Sequence, residues 1–385
     1  MGIIKGHPMR AAYLAGLGLT AFGRHDGADT LDLMAQATGM ALADAGLDRG
    51  QVDGLITGYS TAMPHLMLAT LFAEHYGLRP GYAHAVQMGG ATGAGMVMLA
   101  RLLVASGQCD RVLVVAGENR LTHEGGRDQA IRTLAQVGHA QHEVPFGATI
   151  PGYYALLASH YLARHPGAGN DLAAIAVAMR RHAQATPGAH LTAPLTLAEA
   201  LESRPVATPL RLADCCPISD GAAAVLVAAD PGPHAPVRIA GAGQAHRHQH
   251  VTQARDWQNF GAAEAADRAF TQARRKRSEV GVLGIYDSFT ITLAMLLEET
   301  GFARRGLAGR QIADGALVPL NTHGGLLSYG HPGVAGGMAH LVEVTRQMQG
   351  RAGALQMPQP ARVGYVHADG GVLSAHVGLV LEAVA

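Results

Sequence analysis

The sequence predicts a layered α/β fold made of two similar halves, and three observations carry that expectation. Residues 111–116 (RVLVVA) are a continuous apolar run of the kind found in strands covered on both faces. Residues 29–46 (DTLDLMAQATGMALADAG) place apolar side chains at helical spacing and end on Gly46, a plausible helix cap. Residues 236–245 (PVRIAGAGQA) resemble residues 10–20, as if the chain began again. Strand-like and helix-like segments then alternate, which argues for stacked α and β layers.

In chain order, residues 1–9 precede the first strand-like run and are expected to form an N-terminal extension. Residues 11–22 read as a buried strand and turn, 29–46 as a helix, and 52–58 (VDGLITG) as the next strand. Residues 90–107 form a helix rich in small residues, followed by the strand at 111–116. From 118 to 205, Gly, His, Pro and Tyr cluster around helices such as 171–183, which reads as an inserted loop domain. The strand at 222–230 closes a first half spanning 10–235. The second half, 236–385, carries a helix at 262–274, a strand at 281–285, a glycine-led helix at 333–348 and a closing strand at 377–382.

Composition narrows the function classes. The chain has 385 residues, 48% hydrophobic and 15% charged, which suits a domain pair with a large core. Lys+Arg and Asp+Glu are both 29, so charge gives no reason to expect nucleic acid or an anionic membrane as partner. The 21 histidines are scattered, and no paired His/Cys spacing of a zinc site occurs, so no metal is expected. Cys109, Cys215 and Cys216 do not make a disulfide framework, which fits a reducing cytoplasm. No run of about 18 apolar residues is expected to span a membrane, and residues 1–5 lack a signal-peptide pattern.

Five stretches, in order, carry a resemblance: 87–93 (QMGGATG), 212–224 (LADCCPISDGAAA), 285–289 (IYDSF), 321–332 (NTHGGLLSYGHP) and 370–376 (GGVLSAH). Together they resemble the thiolase superfamily, in its sterol-carrier-protein-x and lipid-transfer-protein branch. The resemblance implies a five-layered αβαβα fold of two duplicated halves, a homodimer, and action on an acyl-CoA thioester. No permanently bound cofactor is implied, and coenzyme A enters as part of the substrate.

The family's nucleophilic cysteine sits in a turn entering a buried helix, where the helix N-terminus lowers its pKa. Here that position is Gly90, and the nearest cysteine is Cys109. Thr92 is the other hydroxyl in that turn, but a hydroxyl without an adjacent base is a poor nucleophile, and small residues there also serve close packing. The family's second, acid/base cysteine corresponds to His367, which can move protons near neutral pH or can simply be a loop histidine. The histidine of the Gly-His-Pro motif, which holds the thioester oxygen, corresponds to His331. Tyr286 stands where the family has an asparagine, and its phenol can donate a hydrogen bond or act as acid/base; plain core packing is its alternative. Tyr329 is a further candidate, while His323 shapes the 321–325 loop or faces the substrate. Phe146 and Tyr153, with His142 and Tyr154, are expected at the substrate pocket, although aromatic side chains in such loops also serve packing. Arg180 and Arg181 are either contacts for the CoA phosphates or a solvated helix face. Adjacent Cys215 and Cys216 cannot both point into one pocket.

Without the cysteine, no acyl-enzyme of the usual kind can form. A site that holds an acyl-CoA, stabilises an enolate and moves protons suits retro-aldol cleavage of a 3-hydroxyacyl-CoA. Cysteine-less members of this branch include aldolases that remove steroid side chains together with a small OB-fold/zinc-ribbon companion. The resemblance therefore implies such a companion, docked on an apolar patch. Two alternatives stay open: acyl transfer with a thiol supplied elsewhere, and a non-catalytic acyl-CoA or lipid-binding scaffold.

Overall fold

The computed structural model describes residues 10–147 and 149–384; the predicted extension at 1–9 lies outside them. The first half runs β1 (Tyr13–Leu19), α1 (Thr30–Ala45), β2 (Gly54–Gly58), α2 (Leu68–Tyr76), β3 (Tyr82–Val86), α3 (Thr92–Ser106) and β4 (Arg111–Asn119). Next come α4 (Gly126–Ala135), α5 (Ile150–Arg164), α6 (Ala168–Gln184), α7 (Leu197–Glu202) and a small hairpin of β5 (Pro205–Ala207) and β6 (Leu210–Arg211), before β7 (Asp220–Ala228) returns to the sheet. The second half runs β8 (Val237–His246), α8 (Ala262–Ala273), β9 (Val282–Ile285), α9 (Thr290–Glu299), α10 (Ala308–Ala313), α11 (Gly325–Ser328), α12 (Val334–Met348), β10 (Val363–Gly370) and β11 (Ala375–Ala383).

Among the described residues the main strands form one mixed sheet, ordered β3-β2-β4-β7-β1-β8-β11-β10-β9. The duplication is plain in this order. In the first half β2 runs parallel to β4, β4 antiparallel to β7, and β7 antiparallel to β1. In the second half β9, β10, β11 and β8 repeat those relations strand for strand. Leu320 bridges β9 in parallel through Leu283, in the place β3 takes beside β2. The two half-sheets join where β1 pairs with β8, at Tyr13 and Arg238.

Side-chain alternation along the strands builds the layers. On β4, Val112, Val114 and Ala116 pack with α3 and α12, while Leu113 and Val115 pack with α1 and α2. On β10, Val366 and Ala368 face α3 and α12, while Val363 and Tyr365 face the group that includes α8 and α9. The central helices α3 and α12 are thus sandwiched between the two half-sheets, with α1 and α2 outside one and α8 and α9 outside the other. That is the five-layered αβαβα arrangement of a thiolase fold.

Close approach explains the echo heard in the sequence. A Cβ on Gly16 or Gly18 would run into the carbonyl of Ala41 or Ala37 on α1, and one on Gly241 or Gly243 into that of Ala269 or Ala265 on α8. Each half needs two bare positions on its first strand to seat its first helix. The helix α1 starts at Asp29, whose side chain accepts from Asp32 N, and stops at Gly46 with φ of 66°.

One expectation is corrected. The 18-residue stretch Gly89–Ser106 has a mean hydropathy of 1.3 and is long and apolar enough to cross a membrane. It contains α3, whose apolarity comes from burial between two sheets.

Candidate active site

The site forms where the turn before α3, the end of β9, the loop before α12 and the end of β10 converge. The turn is pinned by Thr92, whose hydroxyl donates to Gly89 O at 2.6 Å and accepts from Met88 N at 2.8 Å. That hydroxyl therefore holds the turn. Gly89 sits at φ of +59°. A Cβ built on Gly90 would lie 2.5 Å from Tyr286 Cζ, and closer still to its Oη and to the carbonyl oxygen of Asp369. The space a side chain at Gly90 would need is taken by the Tyr286 phenol.

Tyr286 follows β9 and is 5% exposed. Asn321 fixes the strand end by a double hydrogen bond, accepting from Ile285 N and donating to Ile285 O, both at 2.8 Å. Tyr286 N donates to His367 O at 3.0 Å. The phenol Oη meets His331 Nε2 at 2.9 Å. His331 is held by its own backbone N donating to Ser219 Oγ at 3.1 Å. Burial, with the charge of Arg120 nearby, pushes the His331 imidazole down to about 3, so it is neutral near pH 7. Burial, with Cys216 and Asp369 close by, pushes the Tyr286 phenol well above its usual 10, so it is protonated. A neutral phenol donates to a neutral imidazole, and the proton can move from Oη to Nε2 and back again from the imidazolium.

Behind the pair lies a buried charge. Arg120 donates to Glu118 through Nε at 3.0 Å and Nη2 at 2.8 Å, with side chains 5% and 1% exposed. Glu118 also accepts from Thr61 N and Oγ1 and from Ala62 N. Arg120 opposes the rise of the Tyr286 phenol.

His367 is placed differently from the sequence expectation. Among the described residues its ring makes no hydrogen bond or ring contact with Tyr286 or His331. Its Nδ1 pairs with Tyr365 Oη at 2.7 Å and its Nε2 with His376 Nδ1 at 3.3 Å. Alternation along β10 turns Val366 and Ala368 toward the central helices and His367, with Tyr365, the other way. Only the His367 carbonyl reaches the site. Asp369, two residues on, does approach it: its carbonyl borders Gly90, and its carboxyl accepts from Tyr154 Oη at 2.9 Å. Burial pushes the Asp369 carboxyl well above the usual carboxylate range.

The other candidates spread out. Tyr329 is buried, with Oη donating to Thr20 O at 3.2 Å and its ring beside His323. His323 is 2% exposed, with neither ring nitrogen partnered among the described residues. Tyr153 is buried beside Gly138 and Glu143. Phe146 is 83% exposed on a turn and makes no ring contact with the pair. Arg180 is spent on Ser328 Oγ and Ala193 O. Burial and Asp214 push the Cys215 thiol up to about 12, and burial pushes the Cys216 thiol well above its ordinary range, so both are protonated. The residues that sequence reasoning passed over are Arg120, Glu118 and Asp369. A charged pair straight after the apolar run RVLVVA was the available signal.

Duplicated halves around two central helices, with a reaction centre at the entrance to α3, define a thiolase-fold enzyme. Residues 13–230 match the family model described as "Thiolase, N-terminal domain" and residues 243–383 the one described as "Thiolase C-terminal domain-like". The chain belongs to the thiolase superfamily, in its sterol-carrier and lipid-transfer branch. It is 33% identical to the steroid side-chain-cleaving aldolase of Thermomonospora curvata, over 97% of this chain and 98% of that protein. It is 30% identical to the acetyl-CoA acetyltransferase of Methanothermobacter thermautotrophicus, over 96% of this chain and 99% of that protein. Among solved structures, the "Ltp2-ChsH2(DUF35) aldolase" superposes with a TM-score of 0.84 at 30% identity, covering 97% of this chain and 98% of that one.

Proposed function

We propose that this protein is a carbon–carbon lyase that cleaves a 3-hydroxyacyl-CoA, with a steroid or similar lipid side chain, by a retro-aldol reaction. The observation that carries the reading is the Tyr286 phenol standing in the space a side chain at Gly90 would occupy, hydrogen-bonded to His331 at 2.9 Å. A proton-handling pair takes the place of a nucleophile.

In this mechanism Tyr286 Oη accepts the substrate hydroxyl proton while passing its own to His331 Nε2. The Cα–Cβ bond breaks, its electron pair moves into the thioester enolate, and the hydroxyl carbon becomes a ketone. The imidazolium returns a proton through Tyr286 to Cα, leaving a shortened acyl-CoA. Tyr286 is never a free phenolate, which agrees with its raised pKa. The buried Arg120 charge favours the enolate. His367 supports the site only through its carbonyl to Tyr286 N and its side-chain network.

Coenzyme A is part of the substrate, and no permanently bound cofactor is needed. The exposed edge strand β3 offers unpaired backbone for a homodimer contact. A relative solved as an aldolase with a DUF35 component favours a small OB-fold/zinc-ribbon companion here. The second reading is acyl transfer with a thiol supplied elsewhere, favoured by the 30% identity to an acetyltransferase. Incubation with labelled acyl-CoA and intact-protein mass spectrometry separates the two. No adduct on the chain, with ketone and shortened acyl-CoA released, is expected; an acylated intermediate on the chain or its companion would overturn the lyase reading.

A further inference from the structure

Behind the Tyr286–His331 pair, the helix α12 presents a bare face and then a histidine. A Cβ on Gly336 would lie 3.3 Å from His331 Nδ1, and one on Gly337 would lie 3.6 Å from Tyr286 Cε2. His340 is one turn beyond Gly336 and so stands on the same face. Its ring lies 6.5 Å from that of Tyr286 and 5.1 Å from that of His323, centroid to centroid. His323 in turn neighbours α6. The Cα of Ala183 would be 3.0 Å from a Cβ on Gly324, and half-buried His182 has Nδ1 at 3.2 Å from Asn321 O. The order from the site outward is Tyr286, His340, His323, His182.

These rings are not spent on structure. His340 and His323 are 1% and 2% exposed. Both ring nitrogens of His323, with His340 Nδ1 and His331 Nδ1, have no hydrogen-bond partner among the described residues. His340 Nε2 stands 3.2 Å from Asp287 Oδ1 and is in contact with that carboxyl. The Asp287 carboxyl also accepts from Leu326 N at 2.7 Å and Leu327 N at 3.4 Å. A buried polar group without a partner is destabilising, and a Leu or Phe in the same place would avoid the loss. Three such nitrogens on His340 and His323, with His331 Nδ1 beside them, are a large cost for a packing role. Ordered water is the partner that such buried nitrogens take where the lining leaves room for it. A neutral imidazole, donor on one nitrogen and acceptor on the other, can take a proton on one side and release one from the other.

We propose that His340, His323 and His182, bridged by ordered water, form a relay that carries protons between the Tyr286–His331 pair and solvent. The relay rests on the lyase reading above. Its use there is chemical. The proton taken from the substrate hydroxyl and the proton given to Cα need not be the same one, and a path to solvent lets the pair reset between them. The groups facing it are the Asp287 carboxyl beside His340, and Tyr329 and the charge of Arg346 beside His323. These three histidines touch no reacting atom in the mechanism; they act through Tyr286 and His331.

The test uses the full chain, with its companion where activity requires it. The shortened acyl-CoA product is incubated alone in D2O, and the exchange of its Cα hydrogens is followed by NMR beside the cleavage rate. In the wild type, exchange is expected, because the enolate forms from the product and the abstracted proton escapes along the relay. In His323→Phe, which keeps a ring but carries no proton, exchange is expected to fall roughly tenfold or more, with a smaller fall in cleavage. In His182→Ala, at the half-exposed end, exchange should fall and be restored by added imidazole. That rescue would not follow from a packing role, and it decides the question if His323→Phe does not fold. Folded variants that exchange and cleave like the wild type overturn the relay. A wild type that neither cleaves nor exchanges overturns the lyase reading, and the relay falls with it.

Discussion

Gly90→Ala is the sharpest perturbation of the site, because it adds one carbon where there is no room. That Cβ would stand 2.5 Å from Tyr286 Cζ, with the phenol oxygen and the Asp369 carbonyl nearer. Carbon contacts settle at about 3.5–4.0 Å, so something must move by about 1 Å. The Asp369 carbonyl belongs to β10, where Asp369 pairs with His376 of β11, and it cannot yield cheaply. The Tyr286 ring must therefore swing away, and its 2.9 Å contact with His331 is lost. Overpacking of this kind costs about 1–3 kcal/mol. Misplacement of a reacting group by 1 Å can cost about 10²-fold in rate. Gly90→Cys carries the same Cβ and should inactivate the enzyme too, without creating a thiolase. Adding Tyr286→Leu to Gly90→Ala relieves the clash with the ring but not the one with the Asp369 carbonyl, so it should return only part of the lost stability and none of the activity. Thermal unfolding and cleavage rates of the single and double variants check this. A Gly90→Ala protein as stable and as active as the wild type would refute the geometry on which the mechanism stands.

Three further outcomes follow from the same structure. Tyr286→Phe should lower cleavage by about 10²–10⁴-fold while leaving CoA-thioester binding nearly intact, so a kcat loss without a matching KM rise is the signature. Arg120→Met leaves the Glu118 carboxylate buried without its cation and should destabilise the fold by about 3–5 kcal/mol in chemical denaturation, whereas a loss near zero would contradict the buried pair. Stability should fall as pH drops below about 6.5, where unfolded imidazoles take up protons that the buried ones refuse. His331 and His376 are held down to about 3, and His323 and His367 well below their usual range. Each can withdraw about 1.4 kcal/mol per pH unit between those limits. The raised Asp287 and Asp369 carboxyls, which keep protons that the unfolded chain gives up, return part of it. Urea midpoints at pH 7.5 and 5.5 read the balance, and a midpoint that rises on acidification would contradict it.

The fold was largely legible because its signals are local. Asp29 and Gly46 bound α1 by capping, and the likeness of residues 236–245 to residues 10–20 reflects the glycines at 16, 18, 241 and 243 that seat the first helix of each half. The turn at Gly90, Tyr286 and His331 could be named from motifs, but not their contact, which joins residues 45 apart through a strand end and a loop. The direction of His367 was not legible for a physical reason. The strand β10 is buried on both faces, so its apolar pattern carries no alternation to say which side each residue faces. Arg120 and Glu118 follow an apolar strand as two ordinary charges, and only the fold shows them sealed together at 5% and 1% exposure.

The most direct test of the account is a product analysis. The purified chain, alone and with a small OB-fold/zinc-ribbon companion, is incubated without free CoA with a panel of 3-hydroxyacyl-CoA thioesters, including a steroid tertiary alcohol. Products are identified by mass spectrometry. The account predicts a ketone and a shortened acyl-CoA in equal amounts, abolished in Tyr286→Phe. Acyl groups transferred to an added thiol, with no ketone formed, would contradict it.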